Sequence, residues 1–254
     1  MKMYKNILVT ATNSPYYESL LTLISGVHKF SVDIVDKIFV YNLGLDESEI
    51  KNLNKLKNVE ILEFPENLSE LHPKFMEPKS YVYKIYCMYN SSKLGENVLW
   101  MDSGACPLKS IDVIYQKINE DEIFLVGDIH TNRDYTHTDC RNCISASEDE
   151  LNGKQLWAGL VGYKSNGKYQ NIFDESYKLS LIHGCLDGNQ ENHRHDQSIL
   201  SILTHRNDCP RQDIDIYGYW TDWNRNLSIA LEIGSVIFAH RRGHSDKSNL
   251  IYKN

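Results

Sequence analysis

Six short runs carry acids, imidazoles or small polar residues, four of them just after apolar stretches, where a buried strand would empty into a cleft. Thr10-Ala11-Thr12-Asn13 follows Ile7–Val9. Small hydroxyl residues there can hold a nucleotide base or ribose, and the missing GxGxxG disfavours a dinucleotide-binding fold. Val98-Leu99-Trp100-Met101-Asp102-Ser103-Gly104 sets a carboxylate at a strand end. That position is costly without a partner, and a divalent cation is a natural one; the bland alternative is a cap on the following turn. Val126-Gly127-Asp128-Ile129-His130 repeats the strand-then-acid pattern, and Gln155–Val161 has small residues that permit close ligand approach. His193-Arg194-His195-Asp196-Gln197 opens a helical pattern in which Asp196 would also suit a cap. Phe238–His244 clusters imidazole, which ligates metals, with guanidinium, which pairs with phosphate; a solvated basic turn is the alternative.

Short apolar runs alternating with amphipathic ones must position these residues. The predicted strands are Ile7–Thr10, Lys37–Asn42, Val59–Phe64, Asn97–Met101, Ile123–Val126, Gly159–Tyr163 and Val236–Ala239. The predicted helices are Pro15–Phe30, Glu47–Leu56, Pro78–Leu94, with Pro in its first turn, and Asp196–His205. Alternation of this kind predicts one α/β domain with a mostly parallel central sheet flanked by helices. His130–Gln155 is polar and long for a loop, so it reads as functional or mobile. No repeat or low-complexity linker divides the 254 residues.

Composition narrows the function classes. Apolar residues make up 41% and charged ones 24%, enough for a buried core. A net charge of −7 argues against a nucleic-acid binder. Sixteen Tyr against seven Phe favours half-wet surfaces and clefts. With no signal-peptide core and no run of about 18 apolar residues, a cytoplasmic protein is expected, its membrane contact at most peripheral. In that compartment most of the six Cys would be buried thiols. Cys140 and Cys143 form a CxxC, but no second pair completes a zinc set.

Taken in order, the runs resemble GT-A glycosyltransferases, closest to the family-8-like enzymes that make bacterial surface glycans such as capsule and lipooligosaccharide. ILVTATNS is similar to their nucleotide-binding first strand, and Lys84 in SYVYKIYCMYNSSKL to the basic residue of the following helix. VLWMDSG stands at the Asp-x-Asp motif, WAGLVGY at the Asn-Ala-Gly run and HDQSILS at the Asp-Gln helix start; His240 or His244 stands for the late metal-binding His. The resemblance runs from about Ile7 to His244 and rests on order and spacing. It implies a Rossmann-like GT-A domain over 1–254, with a nucleotide-sugar part at about 1–130 and an acceptor and C-terminal part at about 131–254. Thr10, Ala11, Thr12, Lys84, Asp102, Ser103, Gly104, Ala158, Gly159 and Arg241 would then line the donor site. Asp102 and His240 would bind Mn²⁺ or Mg²⁺. Asp196 and Gln197 would face the transferred sugar and the acceptor hydroxyl.

Two positions depart from the family. Gly104 replaces the second Asp of Asp-x-Asp, and Trp157 replaces the Asn of Asn-Ala-Gly. The first puts metal use in question and makes Lys84, Arg241 and Arg242 cationic substitutes, with Asp128 a further acid. The second gives either a stacking surface or core filling. The implied reaction moves a sugar from a nucleoside-diphosphate sugar, UDP favoured, to a glycan or lipid-linked glycan acceptor. It must stabilise an oxocarbenium-like sugar and a departing diphosphate. A sugar-phosphate nucleotidyltransferase and a non-catalytic carbohydrate-binding protein are the alternatives.

Overall fold

A computed structural model of the chain describes residues 3–189, 191–217 and 227–253. The strands are β1 (Tyr4–Thr12), β2 (Lys37–Asn42), β3 (Val59–Leu62), β4 (Gly95–Met101), β5 (Ala105–Pro107), β6 (Ile123–Thr131), β7 (Lys154–Lys164) and β8 (Ile237–Ala239). The helices are α1 (Tyr17–Ser31), α2 (Glu47–Leu53), α3 (Leu68–Leu71), α4 (Val82–Ser91), α5 (Asp112–Asp121) and α6 (Thr138–Cys143). They continue with α7 (Glu148–Asn152), α8 (Gln170–Ser180), α9 (Asp196–Arg206), α10 (Ile214–Tyr217) and α11 (Leu227–Glu232).

Six strands form one sheet in the order β3-β2-β1-β4-β7-β6. β1 pairs in parallel with β2 and β4, and β2 with β3, whereas β7 runs antiparallel to β4 and β6. Strand side chains alternate between faces, so β1 feeds two cores. Ile7 and Val9 join the cluster containing Val82, Ile85, Ile172, Ile199 and Leu203, while Leu8 joins the cluster built on Leu20, Leu23, Ile24 and Val27. This double burial explains why β1 and β4 read as continuous apolar runs. α9 is buried all round at Ile199, Leu200, Ile202 and Leu203, the four residues expected to face inward. Burying each such side chain contributes about 1.5–3 kcal/mol.

Several boundaries differ from the sequence pattern. β1 extends back to Tyr4, and β7 begins five residues before the predicted Gly159. α4 begins at Val82, not Pro78, because Tyr81 is left-handed at φ 59° and breaks the helical path. The segment 130–155 is not an irregular loop. It carries α6 and α7, the latter opened by a capping box in which the Ser147 hydroxyl accepts from the Glu150 amide and the Glu150 carboxylate from the Ser147 amide. Arg206 Nε also donates to Glu150 Oε1 at 2.5 Å, tying α7 to α9.

A second, two-stranded sheet was not predicted. β5 pairs antiparallel with β8 in the register Ala105↔Ala239, Cys106↔Phe238 and Pro107↔Ile237. It brings the C-terminal region back against the turn after β4. Residues 251 and 252 then reach α1 and the turn before β3, where the Ile251 amide donates to His28 Nδ1 at 2.9 Å and Leu56 bridges Tyr252. Among the described residues, no helix is long and apolar enough to cross a membrane.

Candidate active site

The chain goes from β1 outward through β2 and β3 on one side, then returns to place β4 on the other. Open α/β sheets bind ligands at such a switch point, beyond the carboxyl ends of the strands. Here a cleft of ≈ 430 Å³ opens at that place, within the size range of small-ligand sites. Ala11, Thr12 and Asn13 reach it from the end of β1, and Asp102, Ser103 and Gly104 from the end of β4. β7 contributes Ala158 and Gly159 because its antiparallel pairing sets the Gly159 carbonyl against the Asp102 amide at 2.9 Å. Lys84, Asp196, Gln197 and Arg241 complete the predicted residues that line it.

Lys84 organises the floor. Its ammonium lies 3.0 Å from Asp102 Oδ1 and 3.1 Å from Asp196 Oδ2. The Lys84 and Asp196 side chains are each 4% exposed, whereas Asp102 is 44% exposed. Burial alone would lower the lysine pKa, but the charges of Asp102 and Asp196 outweigh it and hold Lys84 above its ordinary value. Burial, resisted by Lys84, raises the Asp196 carboxyl. Trp100 Nε1 donates to Asp102 Oδ1 at 2.8 Å. Among the described residues both of these partners sit on Oδ1 of Asp102, and neither occupies Oδ2.

Gln197 is fixed by β7. Its Nε2 donates to Gln155 Oε1 at 2.8 Å and to Asp128 Oδ2 at 3.5 Å, and its Oε1 accepts from the Ala158 amide at 3.5 Å. Asp128 thus serves Gln197 and is not part of the cleft lining. Asp196 is the first residue of α9 and makes no capping bond; His195 holds the cap position at φ 51°.

Tyr81, His195 and Arg241 all combine a positive φ with a place on the cleft wall. For non-glycine residues such backbone costs about 1–3 kcal/mol each and concentrates at functional sites. The Tyr81 and His195 rings stack at 5.3 Å with 20° between planes. His195 Nδ1 lies 2.9 Å from the Leu186 carbonyl. Tyr16, Lys79, Tyr81 and Tyr83 make up wall that motif reading missed, and Arg194 and His195, from the run that holds Asp196, were given no role there although they also line the cleft. The only signal in the sequence was the excess of Tyr and the HRHDQ run.

Thr10, His240 and Arg242, like Asp128, lie outside the cleft lining. Thr10 is fully buried one residue behind the lining of β1. His240 is 1% exposed and packs with Phe238 and His244, at ring separations of 6.1 and 5.8 Å, so it does not line the cleft. Arg242 lies over the Tyr16 ring at 5.1 Å. Trp157 is 4% exposed and lies across Gly159, where a Cβ would meet its Nε1 at 2.6 Å; it forms wall, not an open stacking surface. All six cysteines are free thiols, and the CxxC sits on α6 with Cys140 buried.

The donor set does not fit a divalent cation of the Asp-x-Asp kind. One carboxylate remains at the motif and it is already paired with an ammonium. Among the described residues, no three His, Cys, Asp or Glu side chains are grouped to hold a metal.

No family model and no curated protein matches the chain. Solved structures do. The bifunctional glycosyltransferase WbbM aligns with a TM-score of 0.63 at 11% identity, covering 97% of this chain and 47% of WbbM. The chain therefore spans about half of that protein. An active-site mutant of LgtC aligns at 0.58 and 12% identity, covering 94% of this chain and 88% of LgtC. The core-mannan synthase CmsA from Aspergillus fumigatus, in a Mn/GDP form, aligns at 0.53 and 8% identity, covering 79% and 69%. At these identities the likeness establishes architecture, and the chain has the GT-A fold that these glycosyltransferases share.

Proposed function

We propose that the protein is a glycosyltransferase that moves a sugar from a nucleoside-diphosphate sugar, UDP being the favoured base, to a glycan acceptor of the bacterial surface-glycan kind. The observation that carries this reading is the convergence of Asp102, Lys84, Asp196 and Gln197, from β4, α4 and α9, on one cleft at the sheet's switch point. The fold shared with WbbM and LgtC supports it. In this reading Ala11, Thr12 and Oδ2 of Asp102 receive the nucleoside. Asp196 and Gln197 face the reacting sugar, with Asp196 as base or stabilising carboxylate. Lys84 pairs with both acids and fixes their positions. The small residues Ala158 and Gly159 let the sugar approach β7 closely. The residues beyond about 131 supply the acceptor side through His195 and the start of α9.

A thermal-shift screen against UDP, GDP and CDP tests the donor assignment, since a ligand bound by the native state raises Tm by mass action. One nucleoside diphosphate, expected to be UDP, should raise Tm in a saturable way. No shift with any of them would remove the nucleotide-sugar reading.

A further inference from the structure

The turn after β4 is closed to the second acid of an Asp-x-Asp motif. A Cβ placed on Gly104 would lie 2.7 Å from Arg241 Cα and 2.9 Å from the Arg241 carbonyl oxygen. Those atoms are main chain and cannot swing aside. The Arg241 amide donates to the Gly104 carbonyl at 2.6 Å, and the Ser19 hydroxyl donates to the Arg241 carbonyl at 2.7 Å. The β5–β8 pairing holds both strands in that register. Glycine here is thus the residue that lets Arg241 pass, and Arg241 occupies the space an Asp would need.

The charges left in the cleft follow from that exchange. Among the described residues its lining carries four basic ones, Lys79, Lys84, Arg194 and Arg241, against two acidic ones, Asp102 and Asp196, an excess of two positive charges. A nucleoside-diphosphate sugar carries two negative charges on its pyrophosphate. A divalent cation seated on Asp102 would instead stand beside the buried Lys84 ammonium, 3.0 Å from the same carboxylate. Like charges so close repel each other. Arg194 is braced for an anion: its guanidinium lies over the Tyr135 ring at 4.2 Å, and its Nε is buried without a hydrogen-bond acceptor among the described residues.

Resting on the donor reading above, we propose that this cleft binds the pyrophosphate of its donor without a divalent cation, the guanidinium groups of Arg194 and Arg241 meeting the charge instead. Planar guanidinium pairs bidentately with phosphate oxygens and stays charged at any working pH.

Calorimetric titration of the whole chain with UDP, GDP and CDP, in excess EDTA and in saturating Mn²⁺, tests the idea. The Kd of the nucleotide that binds is expected to agree within about twofold between the two conditions. Arg194→Ala and Arg241→Ala should each weaken it about tenfold to a hundredfold, the range for charge-assisted hydrogen bonds, while circular dichroism reports an unchanged fold. Gly104→Asp should lower Tm without creating a response to Mn²⁺. Tightening of tenfold or more by Mn²⁺ would overturn the metal-free site and leave the donor reading standing. Arginine variants that bind as the wild type does would overturn the role of the guanidinium groups. Failure of every nucleotide to bind in either condition would overturn both proposals.

Discussion

Lys84 and Asp196 form an ion pair of 3.1 Å in which both side chains are 4% exposed, and the same ammonium holds Asp102 at 3.0 Å. One cation thereby locks α4 to α9 and to the end of β4, beneath the cleft. A buried pair of this kind is weak evidence for net stability, but breaking it is costly because the partner charge is left behind.

Lys84→Met should therefore destabilise the fold by about 3–5 kcal/mol, read from urea unfolding midpoints. Adding Asp196→Asn removes the stranded carboxylate, so the double variant should lose less than the two single losses combined. Additive losses would show that the two residues do not act as a pair.

Stability should fall in mild acid through His193. Burial, then the neighbouring His195, lowers its pKa from 6.5 to about 4. The folded state thus binds the proton less readily than the unfolded chain. The stabilisation is complete above pH 6.5 and is lost as pH falls towards about 4, on the order of 3 kcal/mol in all. His193 Nδ1 accepts from the His137 amide at 3.3 Å, a bond that protonation there would break. Burial shifts His28 the same way. His193→Gln should flatten much of the slope of unfolding free energy between pH 6.5 and 4; an unchanged slope would show that other groups set it.

Gly104→Ala tests the closed turn by itself. Its Cβ meets main chain at 2.7 Å, and overpacking of that kind typically costs 1–3 kcal/mol. The chemical-denaturation midpoint should fall accordingly. A neutral alanine would mean that the β5–β8 pairing yields readily.

Arg206→Ala should loosen α7 from α9. Arg206 Nε and Nη2 contact the buried Glu150 carboxylate at 2.5 and 3.3 Å, and Nη2 also reaches the Ile144 carbonyl at 2.9 Å. Hydrogen bonds to charged groups contribute about 1.5–3 kcal/mol. Limited proteolysis should then cut faster within residues 132–153, and unchanged cleavage would contradict the bracing role.

The sheet was legible because β1 and β4 are buried on both faces, which demands continuous apolar runs such as ILV and VLWM. Asp102, Asp196 and Gln197, which line the cleft, stood out in the sequence by their place after a strand or at a helix start. What escaped the sequence depends on non-local geometry. β5 is only three residues, too short for a periodic signal, and the strand expected at Val236–Ala239 gave no sign of its partner, yet the pairing of β5 with β8 delivers Arg241 to Gly104. That register also turns His240 away towards Phe238, which the proximity of His240 and Arg241 along the chain could not reveal. Tyr81 and His195 adopt left-handed backbone without glycine, a state set by packing that carries no local mark.

The most direct test of the account is release of nucleoside diphosphate from a panel of UDP-, GDP- and CDP-sugars by the wild type and by Asp196→Asn. The wild type should cleave at least one donor slowly in water, and Asp196→Asn should lower that rate about 10²-fold or more, the range for a positioned acid–base group. Cleavage by Asp196→Asn at the wild-type rate, or none by the wild type with any donor, would contradict it.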